Sequence, residues 1–301
     1  MSSFWSGWII TIVMFNILGC AALLWWTRRM PLDHVDEDNT TGHVYDGIKE
    51  YNNPLPRWWM WMFVSTIVFA LVYLVLFPGL GNYPGTLGWT SHKEHDAGVA
   101  ELKAKYGPMY DAFYKESIPD LAKDDKAMRI GQRLFLNNCA ACHGSDARGA
   151  RGFPNLTDND WLYGGTPDRI EQTIRYGRQG AMPTWGPILG DEKIKQVANY
   201  VLSLSGRAVD DTLAVQGKIV FQTNCVACHG PDGKGNTMIG APNLTDTIWL
   251  YGGSKSTVIQ SITQGRQGRM PAWLDRLGKE KIHLLAAYVY SLSHGNSQGS
   301  M

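Results

Sequence analysis

Two stretches near the amino terminus are apolar all round rather than on one face. Phe4 to Trp26 contains no charged residue, and about 23 residues at helical rise are enough to cross a hydrocarbon core. Trp58 to Phe77 is likewise uncharged, opens after Pro54 and Pro56 and closes on Pro78-Gly79. Both predict transmembrane helices, the second with Trp58, Trp59 and Trp61 as an interfacial belt. Residues 78–125 then turn to Gly, Pro, Tyr and charge, which reads as a connecting segment with one short amphipathic helix, Asp96 to Tyr106. From residue 126 the pattern becomes amphipathic and runs through the same order twice. It predicts helices near 126–138 and 212–224, near 167–176 and 255–264, and near 191–204 and 279–292.

The two passes match residue by residue. Gly131-Gln132-Arg133-Leu134-Phe135 answers Gly217-Lys218-Ile219-Val220-Phe221, and Pro154-Asn155-Leu156-Thr157-Asp158 answers Pro242-Asn243-Leu244-Thr245-Asp246. Trp161-Leu162-Tyr163-Gly164-Gly165 recurs as Trp249-Leu250-Tyr251-Gly252-Gly253. Gly177-Arg178-Gln179-Gly180-Ala181-Met182-Pro183 recurs as Gly265-Arg266-Gln267-Gly268-Arg269-Met270-Pro271, with Trp185 opposite Trp273. Each unit is about 80 residues, the scale of a small domain, and buries too little apolar surface to be comfortable alone. Gly131 and Gly217 let the first helix of each unit approach the last, with Phe135 on Tyr200 and Phe221 on Tyr288 at the crossings.

What fills such a unit is read from its cysteines. The chain has five. Four of them form Cys139-Ala140-Ala141-Cys142-His143 and Cys225-Val226-Ala227-Cys228-His229, two C-x-x-C-H signatures of covalent haem attachment. Two thiols three positions apart reach the two vinyl groups of one porphyrin, and the adjacent histidine lies under the iron. A structural zinc site needs a fourth ligand that neither motif has nearby, and a thioredoxin-like pair lacks the histidine. The reading is two covalently bound haem c groups, through Cys139, Cys142, Cys225 and Cys228, with His143 and His229 as proximal iron ligands. Met182 and Met270, each before a proline in a Gly-rich loop, are the expected sixth ligands; methionine there raises the potential and closes the iron. Met238, in an insertion found only in the second unit, is a weaker rival. Tandem units can exchange such loops, so which methionine serves which iron is left open. Pro154 and Pro242 are expected to offer carbonyls to the proximal histidines, and Arg178, Arg266, Trp185 and Trp273 to reach haem propionates.

Composition and charge complete the reading. An 18% charged fraction with 12 tryptophans fits a membrane component, and a net charge of +1 indicates no nucleic-acid partner. The loop between the spans carries Arg28, Arg29, Lys49 and Arg57, whereas the amino terminus has no Lys or Arg and the next basic residue after the second span is Lys93. The loop is therefore expected in the cytoplasm and both termini outside. The first span lacks a basic start and a small-residue cleavage site, so it is expected to be retained. Gly19, Asn16 and Cys20 within it suggest a helix-packing face toward a membrane partner. No acid–base dyad or nucleophile stands out, His92 and His95 read as solvated, and His283 and His294 lie on or after the last helix without partners.

Together with Tyr45-Asp46-Gly47-Ile48, Asn53-Pro54-Leu55-Pro56-Arg57-Trp58-Trp59 and the GRQGxMP loops, these features resemble the CcoP (FixP-like) dihaem subunit of cbb3-type cytochrome c oxidase over nearly the whole chain. The resemblance implies a mainly α protein: two transmembrane helices followed by two tandem cytochrome c (class I-like) haem domains. The divisions are 1–57 (first span and cytoplasmic loop), 58–77 (second span), 78–125 (periplasmic linker), 126–206 and 207–301 (haem domains). It further implies a bacterial inner-membrane subunit of a proton-pumping respiratory oxidase, with no catalytic residue of its own. Electrons would pass from a periplasmic donor, such as a soluble cytochrome c, toward a monohaem cytochrome c subunit and the catalytic haem-copper subunit, with membrane lipid around the spans. A stand-alone dihaem shuttle, or a haem-based sensor or assembly protein with an open iron, are the competing readings.

Overall fold

The computed structural model describes residues 1–27, 40–51 and 56–294. Arg28, Arg29 and Asn53-Pro54-Leu55, which entered the topology and the resemblance, lie outside these described residues, as do residues 295–301. The chain divides into two units between Lys105 and Tyr106.

The first unit opens with α1 (Ser3–Thr27), followed by a hairpin of β1 (Thr40–Tyr45) and β2 (Ile48–Tyr51) and then by α2 (Arg57–Leu76). Both helices are long and apolar enough to cross a membrane, with mean hydropathies of 2.1 and 2.2, and neither is buried by protein. Their polar side chains are satisfied internally, as an apolar solvent demands. Asn16 Nδ2 donates to the Ile12 carbonyl at 2.8 Å, and Ser65 Oγ to that of Trp61 at 2.8 Å. The amide of Asn82 donates to Ser6 Oγ at 2.9 Å, fixing the turn after α2 beside the start of α1.

A single helix, α3 (Ser91–Lys115), replaces the expected short one and runs through Pro108. An interior proline costs roughly 3 kcal/mol. Beyond it, Phe113 is buried and Met109 and Tyr110 pack partly buried beside it in a hydrophobic core; at about 1.5–3 kcal/mol for one fully buried side chain and a share of that for the other two, this is of the same order as the break. The short α4 (Ile118–Leu121), capped by Ser117, adds Ile118 and Leu121 to the same core. The carboxyl-terminal part of the expected connecting segment is thus core structure.

The repeats follow as α5 (Asp125–Asn138), α6 (Ala140–His143), α7 (Pro167–Tyr176), β3 (Arg178–Met182) and α8 (Gly186–Leu204), then α9 (Asp211–Asn224), α10 (Val226–His229), α11 (Lys255–Gln264), β4 (Arg266–Met270) and α12 (Leu274–His294). Asp124 caps α5 and Asp210 caps α9, each through a side-chain oxygen that accepts a backbone amide three residues on. The last helices start earlier than expected because a kinked turn precedes each of them, at Gly190 (φ 70°) and Gly278 (φ 74°).

The packing of these helices is reciprocal between repeats. α12 of the second repeat lies on α5 and α7 of the first, while α8 of the first lies on α9 and α11 of the second. The expected aromatic pairs are corrected accordingly: Phe135 meets Tyr288 with ring centroids 5.6 Å apart, and Tyr200 meets Phe221 at 5.2 Å. Gly131 and Gly217 do mark the close crossings, but against the other copy's last helix. A Cβ on Gly131 would meet Tyr288 Cβ at 2.6 Å, and one on Gly217 would collide with the Gln196 carbonyl. The exchange is carried by the two Gly-rich loops, which form an antiparallel ribbon with Arg178 opposite Met270 and Met182 opposite Arg266. His283 and His294, both expected to have no partner, have them: His283 is held by the Glu116 carbonyl and the Glu171 carboxylate, and His294 stacks on Tyr290 with ring centroids 4.0 Å apart.

Candidate haem sites

Each C-x-x-C-H motif begins at a helix end. Cys139 closes α5 and Cys225 closes α9, and a single helical turn, α6 or α10, then presents the second cysteine and the histidine. Cys142 and Cys228 are exposed, whereas Cys139 and Cys225 are half-buried. Burial pushes the Cys139 and Cys225 thiols up to about 11, with the neighbouring Cys142 and Cys228 adding to it. A thiolate, the form zinc binds, is disfavoured there; an uncharged thioether suits the same surroundings.

The histidines are oriented from behind. His143 Nδ1 donates to the Pro154 carbonyl at 3.1 Å and His229 Nδ1 to that of Pro242 at 3.2 Å, as expected. Burial holds both imidazoles toward the neutral form, against the opposing effect of these hydrogen bonds. With Nδ1 protonated and bonded, Nε2 keeps its lone pair for a metal.

The core around each motif is completed by the other repeat. Met270, Trp273 and Leu274 pack in one core with Cys139, Ala140, Leu156 and Trp161. Met182, Trp185 and Leu189 pack in the other with Cys225, Val226, Leu244 and Trp249. The exchange needs two glycines with positive φ: a Cβ on Gly177 (φ 72°) would collide with the Met270 carbonyl, and one on Gly265 (φ 71°) with that of Met182. Met238, the weaker rival, is on the surface with its sulfur 3.2 Å from Arg169 Nη2.

Buried donors without protein partners test whether a haem fits. Trp161 Nε1, Trp249 Nε1 and Arg266 Nη2 are all buried and unpaired among the described residues. An N–H left so costs about 1–3 kcal/mol unless an acceptor is supplied, and haem propionates are such acceptors. Arg178 and Arg266 stand on matching scaffolds: the guanidinium of one lies 4.8 Å from the Tyr163 ring and of the other 4.5 Å from that of Tyr251. Their Nε atoms donate to Thr173 Oγ1 and Ser261 Oγ, both at 2.9 Å. Trp185 and Trp273, expected near propionates, stand at the start of the last helices, with their backbone amides donating to Ile262 and Ile174. The buried unpaired indoles among the described residues are those of Trp161 and Trp249. Their signal in the sequence was the recurrence of a donor-bearing aromatic at one place in both copies.

Comparison with known proteins agrees with this geometry. Residues 37–84 match the family described as the N-terminal domain of cytochrome oxidase-cbb3, FixP. Residues 126–201 and 212–289 match the family described as cytochrome c oxidase, cbb3-type, subunit III. A cbb3-type cytochrome c oxidase subunit CcoP of Rubrivivax gelatinosus is 49% identical over 97% of this chain and 96% of its own length. Subunits FixP of Azorhizobium caulinodans and Bradyrhizobium diazoefficiens are each 44% identical over 89% of this chain and over 98% and 99% of their own lengths. With two membrane-length helices followed by two cytochrome c repeats, the chain belongs to the CcoP/FixP subunit family of cbb3-type cytochrome c oxidases.

Proposed function

We propose that this chain is the membrane-anchored dihaem c electron-transfer subunit of a cbb3-type terminal oxidase. It takes electrons from a periplasmic donor and passes them toward the oxygen-reducing subunit. The observation that carries the reading is the pair of equivalent arrangements, each with two cysteines, an oriented histidine and a buried unpaired indole, packed beside a methionine strand from the other repeat. When bound, a haem with histidine and methionine ligands supplies a one-electron iron couple of raised potential.

The chain's own residues do the rest. Cys139, Cys142 and His143 would hold one group with Met270 as a further ligand, and Cys225, Cys228 and His229 the other with Met182. The Pro154 and Pro242 carbonyls fix the imidazoles, which would limit reorganisation on a change of charge. Trp161, Trp249 and Arg266 are the buried donors that would serve the propionates, and Arg178 stands where Arg266 does. The two methionines sit at opposite ends of one hydrogen-bonded ribbon, four residues apart along it, or about 14 Å at strand rise. That spacing suits electron transfer between two closed sites. The inter-span loop is assigned to the cytoplasm, and the termini and both haem sites to the periplasm.

The test is purification in mild detergent followed by haem and metal typing. Co-purification of haem b and copper with a dihaem c chain, reduced by a soluble cytochrome c, is expected. A chain that isolates alone, or whose haem c binds carbon monoxide rapidly and in bulk, contradicts it.

A further inference from the structure

Where the two repeats cross, they are not equivalent. Repeat register places Lys195 opposite His283, Ile259 opposite Glu171 and Thr263 opposite Arg175. The crossing of α8 with α11 thus has an aliphatic and a hydroxyl where the crossing of α12 with α7 has a charged cluster. A haem-binding repeat does not require this cluster, since one copy does without it.

The cluster ties three elements together. His283 of α12 donates from Nε2 to the carbonyl of Glu116, in the connection between α3 and α4, at 2.8 Å. Its Nδ1 faces Glu171 Oε1 of α7 at 3.4 Å, an ion-pair distance outside hydrogen-bond geometry. Arg175 Nη2 holds the same carboxylate oxygen at 2.6 Å. The Tyr114 ring of α3 meets the imidazole edge-on at 5.2 Å. From α12 itself, Lys279 Nζ lies 5.0 Å from the Tyr114 ring and 3.9 Å from Glu280 Oε1. The His283 and Glu171 side chains are 12% and 17% exposed, so solvent screens the pair only partly.

The Glu116 bond fixes a proton on Nε2. A second proton on Nδ1 makes the imidazole a cation against a buried carboxylate; without it, a lone pair faces that carboxylate. We infer that His283 is a protonation-dependent clasp between α12 and α7, which when charged holds the Glu171 carboxylate and when neutral lets α7 loosen from α12 while keeping its Nε2 bond to Glu116. Burial opposes the charge on His283, but the Glu171 carboxylate and the Glu116 carbonyl outweigh it and raise its pKa. His283, in turn, leads the contacts that lower that of Glu171. α7 runs directly into β3, so the device gives the packing of the first repeat against α12 a dependence on pH.

Hydrogen exchange of the haem-loaded full chain tests this, at about pH 6 and about pH 8.5 on either side of the ordinary histidine value and with each rate divided by its intrinsic rate. The Ile170 and Gly177 amides at the two ends of α7, bonded to the Thr166 and Thr173 carbonyls, should lose about ten-fold in protection at the higher pH, while α9 amides keep theirs. His283→Gln, and separately Glu171→Gln, should bring protection at the lower pH down to the high-pH level without changing the covalent haem count. Unchanged protection across pH in the natural chain overturns the inference. So does an equal loss in α9, or a wild-type pH response in a folded His283→Gln chain. If either variant fails to fold, the natural chain's pH series still decides.

Discussion

Met182 and Met270 each end a five-residue strand, and on the proposed function their thioethers close the two haem sites. Met182→Leu or Met270→Leu should remove one low-spin, higher-potential haem from a redox titration while two haems stay covalently attached; an unchanged titration would show that other residues supply the sixth ligands. Trp249→Phe deletes a buried donor and should cost about 1–3 kcal/mol in the unfolding of the haem-loaded chain. The pH dependence follows from two residues of opposite sign. His283 is raised, so its contribution is full below its unfolded value and is lost as pH rises through the folded one. Glu171 is lowered, so its contribution is present above its unfolded value and lost as pH falls through the folded one. The pair is therefore strongest in mildly acidic solution, and the thermal midpoint should fall on both sides of that window. In Glu171→Gln the midpoint should respond less to alkaline pH, as a melting series would show.

Among the elements, the helices were the most legible in the sequence. Periodicity and Gly punctuation placed the helices of both repeats to within a residue or two, apart from the kinked turns before Asp191 and Lys279. Which last helix covers which first helix was not legible. Phe135 and Phe221 are the same residue type, as are Tyr200 and Tyr288, so a pairing within one copy and a pairing between copies bury the same chemistry. Only the extended course of Gly177–Pro183 and Gly265–Pro271, each strand using the other as its hydrogen-bonding partner, distinguishes them. The long α3 was missed because Gly107-Pro108 reads as a break; the apolar residues beyond it pack well enough to offset the proline. The crossings make unequal demands. At Gly217 an added Cβ meets backbone, while at Gly131 its nearest atom belongs to a side chain. Gly217→Ala should therefore lose more stability than Gly131→Ala, by an amount at or above the usual overpacking cost of about 1–3 kcal/mol, measured by denaturant unfolding of the haem-loaded protein.

For the whole molecule, the exchange means that each repeat's core is completed by the other's last helix, and on the proposed function neither repeat alone would make a complete haem site. Residues 126–206 alone contain Cys139, Cys142 and His143 but not Met270 or α12, and residues 207–294 lack Met182 and α8. Each half expressed separately with haem should bind carbon monoxide readily or self-associate by exchanging its last helix. A fragment of residues 106–294 should do neither. The C-x-x-C-H candidates were legible because the motif is a local pattern. Met182 and Met270 were legible as candidates, but which motif each packs beside was not, because that is a property of the ribbon and not of either repeat.

The central claim is that crossed assignment, and single-haem chains test it most directly. In a chain with Cys225→Ala and Cys228→Ala, only the first haem is attached. Met270→Leu should then abolish the methionine–iron charge-transfer band and open the iron to carbon monoxide, while Met182→Leu leaves the spectrum unchanged. The reverse pattern, with Met182→Leu opening that haem and Met270→Leu sparing it, would contradict the account.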